Sequence, residues 1–209
     1  KKIDKKLKIL HVTNFNERHN GRLFYNTGKR INNGFVRLEH SVLDFSDRDI
    51  VSYYRNLNDL SGAKRLNKKL LEVISNYVPD LLILGHADLI NIETLEYIKT
   101  NYPNIKMAQW FLDRMDSNWI NNKKRFLDKI ELMDASFCTT DPRSLQINKK
   151  HNIFYLPNPV DKSFETLENY KMKYFNNDVF FAMSHGVHRG VLKRGKFDER
   201  ETFINQLIK

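Results

Sequence analysis

Short apolar runs alternate with longer amphipathic segments along most of this chain, and that alternation restricts its fold more than any other feature. Seven runs read as strands, at residues 7–12, 41–45, 80–84, 105–112, 135–139, 153–156 and 179–183. Most are continuously hydrophobic rather than alternating, which is how strands covered on both faces are written. Between two of them, Leu66, Leu70, Val73, Ile74 and Tyr77 recur at helical spacing, with Pro79 ending the helix. Asn91 can cap a further helix that turns Leu95 and Ile98 inward and closes at Pro103. Asp141 followed by Pro142 marks another helical start. Strand–helix repetition with right-handed crossovers predicts an α/β fold, a doubly wound parallel sheet of Rossmann-like type whose function lies at the carboxyl ends of its strands.

The chain has 209 residues, 41% of them hydrophobic. That suffices for one domain of roughly 150 residues with some chain to spare. The segment Leu156-Pro157-Asn158-Pro159-Val160-Asp161 interrupts the strand–helix rhythm, since its two prolines oppose both a ladder and a helix interior. It reads as the exit from a first domain, residues 1–161. Residues 162–209 then hold a linker carrying Tyr170, Tyr174 and Phe175, one strand, and a helix from about Glu199. One strand and one helix do not make a domain, so this second part is expected to be the opening βα unit of a truncated one.

Net charge is +10 with a pI near 9.6, which favours anionic partners such as phosphates, nucleotides or acidic lipid headgroups. Many lysines fall on outer helix faces, where they solubilise. The single cysteine, Cys138, lies in an apolar stretch and reads as a buried, unreactive thiol, with no disulfide possible within the chain. A reducing cytoplasm fits this. No run approaches the roughly 20 apolar residues of a membrane span, although a basic face could rest on an acidic membrane. Neither a GxGxxG fingerprint nor a GxxxxGK[ST] loop occurs.

A parallel-sheet domain, a Pro-Asn-Pro-Val-Asp exit at Pro157 to Asp161 and a new strand leading into Ser184-His185-Gly186-Val187-His188-Arg189-Gly190 together resemble GT-B glycosyltransferases. The likeness is to the bacterial glycosyltransferase family 1 and spore-coat CgeB-like group, in which a Pro-Asn-Gly-Val-Asp segment ends the acceptor domain; here Pro159 replaces the glycine. The resemblance implies an acceptor-side domain followed by the start of a donor-side domain. It further implies transfer of a sugar from a nucleotide diphosphate sugar to a glycan, lipid or protein acceptor, in a cleft between the domains and without an obligatory metal or other cofactor. A piece of this length would be inactive alone.

Three groups of residues are candidates for that chemistry. Asn14, Arg18, His19, Asn20 and Gly21 follow the first strand and could hold an acceptor. His86, Asp88 and Asp113 end the third and fourth strands, with Asp116 close by, and suit either a base near the acceptor hydroxyl or a polar group near the anomeric carbon; Asp113 has the best claim because it follows an aromatic strand. His185, Gly186, His188, Arg189, Lys193 and Arg194 combine glycine with cations as a diphosphate site would. His185 and His188 lack a third ligand at convincing spacing, so no metal is expected. Trp110 and Trp119 read as packing residues. The competing reading is a non-catalytic basic α/β module for nucleotide or nucleic acid, although no nucleic-acid motif accompanies the charge.

Overall fold

The computed structural model describes residues 5–115, 119–147, 150–174 and 199–207. Six strands, β1 (Lys8–Thr13), β2 (Ser41–Ser46), β3 (Leu81–Gly85), β4 (Lys106–Phe111), β5 (Ala135–Cys138) and β6 (Ile153–Tyr155), form one sheet in the order β2-β1-β3-β4-β5-β6. Every pairing is parallel, with Leu10 opposite Leu43 on one side and Leu82 on the other. The expected α/β parallel sheet is therefore present, and six of the seven expected strands lie in it. The seventh, at 179–183, falls outside the described residues.

Among the described residues, five helices of the same compact unit accompany the sheet, α1 (Thr27–Arg37), α2 (Asp47–Tyr54), α3 (Ala63–Tyr77), α4 (Ile92–Asn101) and α5 (Ile120–Leu127), while α6 (Glu199–Leu207) belongs to a second unit. Strand periodicity decides which face each covers. Leu10, Val12, Leu82, Leu84 and Met107 point to one face and pack with Val51, Leu66, Leu70, Ile74, Leu95 and Ile98 of α2, α3 and α4. On the same face farther along, Phe126 of α5 meets Phe111 and Cys138. Ile9, Ile83, Ala108 and Trp110 point the other way, where Ile31 and Phe35 of α1 cover them. The sheet is thus wound on both faces.

Burial raises the Cys138 thiol to a pKa of about 11, and its Sγ donates to the Thr140 carbonyl at 3.1 Å, so it is an inert core thiol. Asn91 holds the N-cap position of α4 without a side-chain cap bond. Asp141 caps as its sequence suggests, accepting from Arg143 N, although the turn that follows is a short 3₁₀ helix, Pro142–Leu145. Trp110 is buried, whereas Trp119 is half exposed.

The chain divides into two compact units, Lys1–Thr166 and Leu167–Lys209. The first continues past 161 for a local reason. Asp161 is buried, accepts from Asn33 Nδ2 and Arg37 Nη2 of α1 at 2.7 Å each, and accepts again from Ser163 N and Oγ. The Arg37 guanidinium first, with the Ser163 and Asn33 donors, holds this carboxyl well below the usual carboxylate range. The exit segment is thus fastened to α1. In the second unit the described parts are a 3₁₀ turn, Asn169–Lys171, and α6.

Candidate functional site

In a sheet of this order the connections leave in opposite directions from β1 and β3, which opens a crevice at their carboxyl ends. Two glycines let the crevice form. A Cβ on Gly28, at the start of α1, would stand 2.6 Å from Thr13 Cγ2, so α1 can approach β1 only with glycine there. A Cβ on Gly85, the last residue of β3, would lie 2.1 Å from the Trp110 ring. Thr13 Oγ1 ties the two strand ends together by donating to the Gly85 carbonyl at 3.0 Å.

The resulting cleft has a volume of about 420 Å³, and its polar lining includes Asn14, Arg48, His86, Asp113 and Arg125. His86 has left-handed backbone, φ 52°, which swings its ring off the strand axis and against Phe111, 4.2 Å between centroids. Its Nε2 accepts from Leu112 N at 3.2 Å, leaving Nδ1 to carry the proton 3.7 Å from Asp113 Oδ2. Burial lowers the His86 pKa, against the opposing pull of Asp113, so the ring is neutral at pH 7. The Asp113 side chain is 52% exposed, and Arg125 Nη1 lies 3.6 Å away. This carboxylate therefore sits between a neutral imidazole and a guanidinium with accessible lone pairs.

Asp88 has a different environment. Arg125 grips it through both oxygens at 3.1 and 2.7 Å, and Arg48 adds a longer contact at 3.3 Å. Its geometry is that of a group that positions two arginines. Behind it, Asp47 is buried, which pushes its pKa up to about 6 despite the backbone amide of Arg48.

The turn between β1 and α1 forms one wall. Asn16, Asn20 and Gly21 occupy left-handed backbone there. Asp49, fully buried, accepts from Glu17 N at 2.8 Å, Arg18 N at 3.4 Å, Arg18 Nη1 at 2.7 Å, and the Ser46 hydroxyl. Asn26 donates to the Phe15 and Leu23 carbonyls while capping α1 through Lys29 N. Of the residues expected to hold an acceptor, Asn14 lines this cleft and Arg18 lines a neighbouring one; His19, Asn20 and Gly21 shape the turn and line neither. His86 and Asp113 come together, with Asp88 linked to them through Arg125.

Asp116 and the donor candidates His185, Gly186, His188, Arg189, Lys193 and Arg194 lie outside the described residues. Among the described residues, no group of three or more His, Cys, Asp or Glu is placed to hold a metal ion.

Arg48, Asp49 and Arg125 escaped the sequence reading. The polar run Ser46-Asp47-Arg48-Asp49 directly after β2 was a usable signal, because it stands on the same sheet edge as the other candidates. Arg125, on α5, had no such signal, because only the fold brings it to Asp88 and Asp113. The chain matches no family model and no curated protein.

Proposed function

We propose that this domain is the acceptor half of a glycosyltransferase that moves a sugar from a nucleotide diphosphate sugar to a hydroxyl-bearing acceptor, with Asp113 as general base. The observation that supports this is the exposed Asp113 carboxylate at the carboxyl edge of the sheet, steadied by His86 and Arg125. Of the two partners it is the better base, because the free lone pair of His86 already accepts from Leu112 N. In the step, the acceptor O–H gives its proton to Asp113 while its oxygen bonds to the anomeric carbon. The bond from that carbon to the diphosphate breaks, and the diphosphate leaves with the electron pair. The glycines and cations from His185 to Arg194 suit the diphosphate in composition.

In an enzyme that carries both the acceptor-side and the donor-side domain, Asp113→Asn is expected to lower turnover by about 10²- to 10⁴-fold, with little change in KM or in unfolding midpoint because the side chain is half exposed. Turnover is measured with uridine and guanosine diphosphate sugars. Unchanged turnover removes Asp113 from the role. Steeply salt-dependent nucleic-acid binding with no response to uridine or guanosine diphosphate instead favours a non-catalytic basic module.

A further inference from the structure

Beside the Asp113 cleft lies a second, of about 380 Å³, whose lining joins Arg18, Arg48, Ser52, Arg55 and Asp88 to the apolar Val51 and Leu89. We propose that it binds a phosphate group, so that the acceptor is a phosphorylated molecule. The word acceptor rests on the function just proposed; the phosphate site itself does not.

Three separate segments bring the charges together. On α2 and its end, Arg48, Ser52 and Arg55 are four and three residues apart, one stripe of a helix surface. Arg18 reaches in from the turn after β1, where buried Asp49 fixes both its backbone amide and its guanidinium. Asp88 comes from the loop after β3, and its charge is offset by the two-oxygen grip of Arg125. The Arg55 side chain is exposed and enters no ion pair among the described residues. The Arg48 contact to Asp88, at 3.3 Å, leaves most of its fork free.

Planar guanidinium groups converging on a concave surface match the oxygens of a phosphate, and a hydroxyl such as that of Ser52 adds a further donor. The volume exceeds one phosphate and leaves room for part of its carrier. Arg48 lines both clefts, so they adjoin. A ligand with its phosphate among the arginines can extend a hydroxyl toward Asp113.

A phosphate of this kind can come from a soluble sugar phosphate or from a lipid headgroup. The 209-residue protein is titrated with hexose 6-phosphate by calorimetry at constant ionic strength, and sedimented with phosphatidylcholine vesicles carrying phosphatidic acid. Saturable binding is expected in at least one arm: hexose phosphate alone identifies a soluble source, vesicles alone a lipid one. Arg55→Gln should weaken it roughly fivefold, and Arg48→Gln by at least as much. Lys68→Gln removes the same charge from an exposed position on α3 and should leave binding unchanged. No binding in either arm overturns the proposal, and so does a Lys68→Gln loss equal to that of Arg55→Gln, which would mean diffuse attraction only. No donor or turnover enters the measurement, so its outcome is separate from that of Asp113→Asn.

Discussion

His11, in the middle of β1, is fully buried yet fully bonded. Trp110 Nε1 donates to its Nε2 at 2.8 Å, its Nδ1 faces Asn32 Oδ1, and Asn32 Nδ2 in turn donates to Asp44, which pairs with Lys29. This chain of donors requires a neutral imidazole, and burial drives the His11 pKa from 6.5 to about 4. The lowered pKa means that the unfolded chain binds a proton more readily than the folded one. Stability from this group is complete above pH 6.5 and is lost as pH falls toward 4, by on the order of 2–3 kcal/mol. Trp110→Phe keeps most of the ring but withdraws the donor from Nε2. It should cost about 1–2 kcal/mol near neutral pH and less near pH 5, because His11 then protonates more easily. Urea unfolding at both pH values tests this; an equal loss at each would break the link to His11. Little of the network was visible in the sequence, where His11 is one residue in an apolar run and its partners lie 21 and 99 positions away.

At the scale of elements, strands were easier to recognise than helices. The strands of a doubly covered sheet are continuous apolar runs, whereas α1 carries only Ile31, Phe35 and Val36 among eleven residues and buries Gly28 and Asn32 as well. It is held instead by specific bonds, among them those from Asn33 and Arg37 to Asp161. Asp161→Asn should therefore loosen α1 and the exit segment together, lowering stability by on the order of 1–2 kcal/mol at neutral pH. The folded Asp161 carboxyl titrates below its ordinary 3.8, so its contribution is present above that pH and fades below it. The difference between the variants should shrink in the same acid range. A pH-independent gap in chemical unfolding would assign the loss to packing.

For the whole molecule, the boundary of the first unit is a statement about what can fold alone. A chain ending at Thr166 retains β1 to β6, α1 to α5 and every Asp161 bond. Its thermal midpoint by circular dichroism should stay within about 2 °C of that of the longer chain, while a chain ending at Val160 should fall by roughly 3–6 °C. Equal midpoints for the two shortened chains would show that the Asp161 clamp contributes nothing. The sheet and its functional edge were readable because the βα rhythm fixes both; His86 could be named because it directly follows β3, and Asp113 because it stands two residues past the end of β4. The arginines that complete the site could not, since their positions depend on how α2 and α5 pack against the sheet.

The turn from Asn14 to Asn26 is secured by Asp49, Ser46 and Asn26, all of them residues of the same chain. Its contour therefore owes nothing to any visitor. A small molecule entering beside it meets a finished wall and gives up chiefly its own freedom of movement, so selectivity there should follow from shape and charge rather than from the wall rearranging around its guest.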